Sequence, residues 1–329
     1  MKAQPLDVRT VTALVTAATA APSLHNTQPW HFRWHSDGRV LELRADLDRS
    51  LPRTDPDHRA LHLGCGAALF NLRVAAAHSG LHAPALLLPD PSDPYLLATV
   101  RLADTGPPDR DLARLRPALD RRHTSRHPFE DRPVPADVQE ALRDAAAREG
   151  AQLLFPGAWH MEALLDQVRD AEGRDALDPA RSEDLRQWTR MGAEASDDAV
   201  DGVPEHAFGP RLRSGRAPVR DFAGRRHLPG RPAAAFETTP NLALLGTGHD
   251  RPADWLRAGQ ALERVLLLAT LNGLATALSS HALEQRDLRE LARDPGSGMG
   301  FVHMVLRLGY GPPGTASPRR PVREVLDLL

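Results

Sequence analysis

The chain has 329 residues, 41% of them hydrophobic and 26% charged, with a formal net charge of −2. That length exceeds one ordinary core and predicts two domains or two intimately packed halves, while the near-neutral balance gives no reason to expect nucleic acid or an anionic membrane as a general partner. Cys65 is the sole cysteine, which excludes an intrachain disulfide and a cysteine-rich metal site. Lys2 is the sole lysine and isoleucine is absent, the usage of a GC-rich genome, so arginine abundance is not by itself a functional signal. No stretch approaches the roughly 18 consecutive apolar residues of a membrane span, and Met1–Thr10 lacks a signal-peptide core, so the cytoplasm is the default expectation.

In chain order, Asp7 as an N-cap and the apolar spacing of Val8–Ala20 predict a short amphipathic helix. Ala21–Phe32, APSLHNTQPWHF, ends it. Pro22 and Pro29 fix φ and remove two amide donors, and the residues before them are pushed out of the helical region. Ser23, Asn26, Thr27 and Gln28 then set donors and acceptors between the prolines, which predicts a rigid loop built to hold something polar and flat. Alternation in His31–Trp34 and Val40–Leu43 around Ser36-Asp37-Gly38 predicts a hairpin. Asp57–Ser79 reads as a long helix, apolar at Leu61, Cys65, Leu69 and Leu72 and closed by Gly80. Its Gly64, Gly66, Ala67 and Ala68 would let another backbone approach closely, and Cys65 is read as a buried small residue. Ala85–Leu88 and Leu96–Leu102 are strands, and Thr105–Arg110, TGPPDR, is a linker by composition.

Beyond the linker, Ala136–Glu149 and Ala158–Ala171 are helical by pattern, with Gln152–Phe155 a short strand between them. Leu242–Leu245 is a turn or strand. Pro252–Asn272 is a long, mostly apolar helix, and Leu274–Leu278 and Phe301–Leu308 complete the strands. Met191–Pro240 is rich in Gly, Pro, Arg and Asp without sustained periodicity. Such a stretch is a lid, a partner-wrapping arm or disorder, and Phe208, Phe222 and Phe236 are its candidate plugs.

Three of these segments carry a resemblance. Ala21–Phe32 resembles the proline-serine-x-x-asparagine-x-glutamine-proline-tryptophan loop of the FMN-dependent nitroreductase family, above all its tandem actinobacterial branch. Arg121–Phe129, RRHTSRHPF, is similar to the family's Arg-x-Ser/Thr-x-Lys/Arg phosphate loop, and Pro318–Leu326, PRRPVREVL, to its closing Arg-x-Pro-x-x-Glu-Val element. The resemblance implies an α+β nitroreductase-like fold. In single-unit members the phosphate loop precedes the Pro-Ser loop, and each flavin is shared between two subunits. Here the order is reversed, which implies a fused dimer of two nitroreductase-like halves, 1–110 and 111–329, with one FMN per chain and 191–240 as a lid insertion. The assembly would be a monomer acting as a pseudo-dimer, or a homodimer of these.

What the resemblance implies for single residues follows the motifs. Arg122 and Arg319, with the Thr124 hydroxyl, would hold the FMN phosphate, Arg320 standing as the fallback for Arg319 and His123 lying between the two loop ligands; guanidinium forks suit that dianion. Arg126 would lie near the N1 and O2 edge of the ring. Pro22, Ser23, Leu24, Asn26 and Gln28 would contact the ring, while His25 and Trp30 are read as structural. Gly273–His281, GLATALSSH, resembles the family's stretch leading to backbone donors at N5. That register puts Ser279, Ser280 and His281 at the flavin, with the amides of Ser280 and His281 as the catalytic donors. The family's proline and acidic residue are replaced here by Leu278 and Ser280, which removes any role resting on a carboxylate at those positions.

Competing signals are weak. Gly64-Cys65-Gly66 lacks the strand-turn context and third glycine of a dinucleotide fingerprint, and His58 with His62 has no third metal ligand in register. The expected activity is hydride transfer from NAD(P)H through flavin N5 to a nitroaromatic, quinone or similar acceptor. The alternatives are an FMN storage or sequestering protein with a covered flavin, and a tailoring enzyme acting on one metabolite.

Overall fold

The computed structural model describes residues 6–104, 106, 109–192, 199–224, 226–294 and 296–329. Met1–Pro5, the linker residues Thr105, Pro107 and Pro108, and 193–198 of the predicted insertion lie outside the described residues. The Asp7 side chain accepts from Thr10 N at 2.6 Å and starts α1 (Val8–Thr19). β1 (Trp30–His35) and β2 (Val40–Ala45) form the expected hairpin. α2 (Arg59–His78) opens with its Ala60 and Leu61 amides donating to the Asp55 carboxylate at 3.0 and 2.9 Å. β3 (Ala85–Leu87) and β4 (Leu96–Arg101) follow.

Short helices α3 (Arg110–Ala113) and α4 (Arg116–Leu119) lead to α5 (Ala136–Arg148) and β5 (Gln152–Leu154). α6 (Ala158–Leu177) runs past the expected end at Ala171, and the unexpected α7 (Pro179–Gln187) starts at a proline, with the Asp178 side chain accepting from Ala180 N and Arg181 N. Next come β6 (Thr189–Arg190), β7 (Val203–Pro204), β8 (Arg211–Ser214), β9 (Ala233–Ala235) and β10 (Asn241–Thr247). α8 (Pro252–Leu271), β11 (Ala275–Ser279), α9 (Arg286–Leu291), β12 (Phe301–Gly309) and β13 (Leu326–Leu328) complete the chain.

The strands form two main sheets, ordered β13-β1-β2-β4-β3 and β11-β12-β10-β5. β13 lies parallel to β1, so the C-terminal arm crosses to the first sheet although it follows the second in sequence, and a division at residue 110 does not separate the two sheets. Each sheet has its own core. Trp30, Phe32, Leu43 and Leu69 belong to the first, and Leu245, Leu262, Val265 and Leu306 to the second.

α2 and α8 pack against each other between these cores, as the pattern of small residues predicted. A Cβ on Gly66 would sit 2.3 Å from the Leu256 carbonyl oxygen, and one on Gly259 2.2 Å from that of Leu63. Neither helix can take a methyl there without separating. Gly259→Ala is therefore expected to cost about 3 kcal/mol, the upper end of overpacking penalties, read as a lowered urea midpoint; an unchanged midpoint would show that the crossing is loose. α2 is long and apolar enough to cross a bilayer, but 94% of its most apolar window is buried inside the fold.

The described part of 191–240 is folded, contrary to the reading of it as disorder. Val203, Ala207, Phe208, Phe222 and Ala223 form a small core of their own. The segment is tied back to the first loops, because Gln28 Nε2 donates to Val200 O at 2.8 Å and Arg49 Nη1 to Asp201 Oδ2 at 2.9 Å. These contacts are long-range, which is why local periodicity did not reveal them.

Candidate cofactor site

At one end of the α2–α8 pair lies a cavity of about 430 Å³, within the range of small-molecule sites. Its wall brings together the 22–26 loop, the 122–126 loop, the end of β11 and the C-terminal arm. Of the residues predicted for the site, Pro22, Ser23, Leu24, Asn26, Arg122, His123, Thr124, Arg126, Ser280, His281 and Arg319 line it, and Gln28, Ser279 and Arg320 do not.

The first loop is held by strained backbone and by its own side chains. His25, Asn26 and Gln28 have φ of 50°, 57° and 52°, a left-handed conformation uncommon for such residues. The Ser23 hydroxyl accepts from Gln28 N at 2.9 Å, closing the loop on itself. α2 comes close enough that a Cβ on Gly64 would lie 3.2 Å from Ser23 Cβ.

Two expectations about polar side chains are corrected. Gln28 is fully buried away from the cavity, its Oε1 accepting from Arg320 N at 2.8 Å. Asn26 lines the cavity, but its amide donates to Gly202 O at 2.9 Å and Pro318 O at 3.1 Å, while its Oδ1 accepts from Arg319 Nη1 at 3.0 Å. Both amides clip the 199–203 stretch and the C-terminal arm to the loop instead of facing a ligand. Between two prolines a short polar side chain suits either use, so the residue types alone did not decide.

The cations divide in the same way. Arg319 donates Nε to Thr19 O at 2.7 Å and Nη2 to Ala20 O and Ala21 O at 3.2 and 3.1 Å, while Nη1 meets Asn26 and Pro318 O. All its N–H groups are thus engaged by the chain; it caps the C-terminal carbonyls of α1 and contributes charge, without a free donor, to the cavity. Arg320 pairs with Asp46 at 3.1 Å outside the cavity and is no substitute. Arg122 instead donates Nη2 to Ala20 O at 3.0 Å, has Nε 3.3 Å from Glu263 Oε1, and keeps Nη1 without a partner among the described residues. The Thr124 hydroxyl is likewise unengaged. Arg126 donates Nη1 to Ala207 O at 2.8 Å, and its guanidinium carbon sits 4.7 Å from the Phe222 ring centre.

This assembly holds positive charge away from solvent. Burial and then the charge of Arg220 bring Arg126 down to about 10, and burial and then Arg122 bring Arg319 down to about 9, with Glu263 opposing. The His123 imidazole is lowered by burial and by Arg122 and Arg319. Desolvated cations around an open cavity fit an anionic ligand, which would restore the charge balance.

Two residues not foreseen, Arg220 and Glu284, complete the wall beside Phe222, one of the expected plugs. Arg220 donates to Glu284 Oε1 at 2.5 Å, and the Ser280 hydroxyl donates to the same oxygen at 2.7 Å. A carboxylate therefore does stand at the end of β11, four positions beyond the serine where it was discounted. Burial raises the Glu284 carboxyl, but Arg220 and His25 outweigh this and leave it at about 2. Phe222 stands edge-on to His25, ring centres 5.7 Å apart, and stacks on Phe208 at 5.9 Å. The buried His25 Nε2, His281 Nε2 and Glu284 Oε2 have no hydrogen-bond partner among the described residues. Ser279 does not line the cavity, and its hydroxyl lies 3.2 Å from Nδ1 of His281, which does.

The buried imidazoles set an acid limit. Burial, then Arg220, lowers His25 to about 3; burial, then Arg59, lowers His303 to about 3; burial, then Arg220, places His281 well below its ordinary value of 6.5. These groups are depressed in the folded state, so their stabilising effect is complete above the unfolded value and is lost as pH falls below it. Each should remove up to about 1.4 kcal/mol per pH unit. The thermal midpoint is expected to hold between pH 7 and 8 and fall steeply from pH 6 to 4; a flat profile there would contradict the neutral buried imidazoles.

Comparison with known proteins gives a consistent result. Residues 119–310 match the sequence model described as the nitroreductase family. A Mycobacterium tuberculosis protein provisionally named NAD(P)H nitroreductase is 35% identical across 98% of this chain and 92% of its own length. A second from the same organism, NAD(P)H nitroreductase acg, also provisionally named, is 32% identical across 97% of this chain and 95% of its own. Among solved structures, one from Anabaena variabilis, provisionally named a nitroreductase, overlays with a TM-score of 0.50 over 92% of this chain and 88% of that one, at 13% identity.

Proposed function

Since this chain belongs to the nitroreductase family, we propose that it is an FMN-dependent oxidoreductase in which two nitroreductase-like halves of one chain enclose a single flavin. The observation that carries the reading is the convergence on one cavity of Arg122, Thr124 and Arg126 with the 22–26 loop and Ser280–His281, with Arg122 Nη1 and the Thr124 hydroxyl left unengaged. The halves are the two sheets with their flanking helices, joined across α2 and α8, and β13 returns from the second half to the first. One chain supplies both halves of the pseudo-dimer, alone or within a homodimer of such chains.

Arg122 Nη1 and Thr124 Oγ1 take the phosphate, with Arg319 supplying charge from behind them. Bound there, FMN supplies a two-electron carrier able to accept a hydride from NAD(P)H and pass it to a nitroaromatic, quinone or similar conjugated acceptor. Arg126 places positive charge near the ring, where negative charge on a ligand is favoured. Ser280 and His281 bound the cavity at the end of β11, where their backbone amides serve as donors to the ring. His25 and His281 stay neutral near pH 7, so each can hold a proton on one ring nitrogen without adding charge to the cluster. Phe222, buried against His25, keeps water from the inner wall.

A second reading rests on one observation. Val203, Val219, Arg220 and Phe222 of the inserted segment already form part of the cavity wall, so the flavin would lie under a closed lid and the protein would hold FMN with little turnover. One spectroscopic experiment separates them. Protein reconstituted with FMN is expected to retain close to one flavin per chain and to bleach anaerobically on addition of NADPH. Bound flavin that stays oxidised favours the container; FAD, two flavins per chain or no flavin overturns the fused-half reading altogether.

A further inference from the structure

Two polar residues at the α2–α8 contact are not explained by packing. Glu263 on α8 and Asn71 on α2 are both fully buried. The Glu263 carboxylate has Arg122 Nε 3.3 Å from its Oε1 and the Asn71 carboxamide beside it. Even so, neither Glu263 oxygen, neither polar atom of Asn71, nor Arg122 Nε completes a hydrogen bond of good geometry among the described residues. A buried carboxylate and amide left in this state cost stability that apolar side chains of similar size would not. Their use lies outside the packing of the helices.

That use is at Arg122, which stands between two anion positions. Behind it is Glu263, at Nε; in front is the cavity that it lines, with Nη1 unengaged. One guanidinium cannot fully compensate a carboxylate and a phosphate dianion together. An anion at Nη1 therefore disfavours the ionised form of Glu263, and a neutral Glu263 favours the anion to the same extent. Asn71 accommodates the neutral form, because a protonated Glu263 has an O–H to donate and Asn71 Oδ1 is an acceptor without another partner.

The surrounding charges fix the sign. Arg319 of the C-terminal arm acts on Glu263 in the same sense as Arg122, while Arg73 on α2 and Arg264 on α8 are both paired with Glu149 at 2.6 Å. His123, next to Arg122 in its loop, is lowered by burial and then by Arg122 and Arg319. Burial raises the Glu263 carboxyl against Arg122, Asn71 and Arg319, so its preference for the ionised form is weakened before any ligand arrives.

We propose that Glu263 is a positioning residue and proton switch for the phosphate site: FMN binds with uptake of one solvent proton on Glu263, whose O–H then donates to Asn71 Oδ1, and Arg122 is released from the carboxylate to the phosphate. The inference rests on the flavin reading of the cavity and adds the regulation of that site, an FMN affinity that rises as pH falls.

The test counts protons. FMN is titrated into flavin-free protein by calorimetry at pH 7, 8 and 9, each in two buffers of different ionisation enthalpy, for the wild type, E263Q and H123N. This range lies above the second phosphate pKa of about 6, so the ligand is the dianion throughout. Glutamine keeps the volume and an acceptor toward Arg122 but takes up no proton. The wild type is expected to take up as much as one proton per FMN and to gain up to about tenfold in affinity for each unit that pH is lowered. E263Q is expected to lose both the uptake and the slope while binding FMN at pH 9 at least as tightly as the wild type, an outcome that a merely structural glutamate does not produce. H123N should keep the uptake. FMN bound by the wild type without proton uptake, an E263Q variant with the wild-type uptake and slope, or loss of the uptake in H123N would each overturn the proposal. The wild-type proton count needs no variant, so a failure of E263Q to fold does not remove the test. A wild type that binds no FMN overturns the flavin reading and the switch together; FMN bound with no proton linked to Glu263 overturns the switch alone.

Discussion

Arg122→Ala is expected to lose FMN affinity and stability together, and a second substitution should pull the two apart. Arg122 is 3% exposed and its Nε faces Glu263, itself fully buried on α8. Removing one partner of a buried pair leaves the other charge without compensation, a loss of about 3–5 kcal/mol. Glu263 is already raised by burial, with Arg122 opposing, so without the arginine it rises further. A carboxyl raised in the folded state destabilises increasingly as pH climbs above its unfolded value. The deficit should therefore be larger at pH 8 than at pH 5. Arg122→Ala/Glu263→Ala should recover most of the stability, leaving only the smaller cost of a cavity, yet it still lacks the donor proposed for the phosphate. Its FMN affinity should remain weaker by about 1.5–3 kcal/mol, the scale of a charged hydrogen bond. Flavin fluorescence titration alongside urea unfolding checks both. If the double variant binds FMN as the wild type does, Arg122 is a structural cation and the phosphate lies elsewhere.

Arg307→Ala should be comparably severe for stability, for a reason unrelated to a ligand. The Arg307 side chain is fully buried on β12 and forms a two-pronged pair with Glu237, Nη2 reaching Oε2 at 2.7 Å and His127 O at 3.0 Å. Its guanidinium carbon stands 3.7 Å from the Phe129 ring centre and 5.5 Å from that of Phe236. Phe129 N donates to the same Glu237 oxygen at 3.0 Å. One residue therefore ties the second sheet to the end of the phosphate-type loop and to the end of the inserted segment. Truncating it strands a buried carboxylate, at a cost of about 3–5 kcal/mol, and Arg307→Met/Glu237→Gln should restore part of the loss by removing the charge while keeping an acceptor for Phe129 N. Hydrogen exchange should speed up at 127–129 and 236–238 in the single variant. Unchanged exchange there would mean that the pair does not anchor the segment.

Much of the fold was legible because it rests on local signals. Periodicity, the Asp7 cap and the hairpin around Asp37 placed α1, α2, α8 and the first strands close to their observed bounds, and the small residues of α2 announced a close helix crossing before Gly66 and Gly259 were seen to touch facing backbone. The spellings at 21–32, 121–129 and 273–281 likewise marked segments that converge on one cavity. What residue type could not settle was the direction in which a polar side chain spends its hydrogen bonds. Asn26, Gln28 and Arg319 could serve a ligand or the chain equally well, and only the tertiary structure shows them consumed by Gly202, Val200 and the end of α1. The pairing of β13 with β1, the compact 199–240 segment, and the meeting of Arg220 with Glu284 across 64 residues depend on contacts distant in sequence. Such contacts leave no periodic trace. The sequence by itself determined which segments could form helices, strands and rigid loops, because backbone propensity and apolar spacing are local; the tertiary structure decided which donors and charges remain free at the cavity, because that depends on every group folded around them.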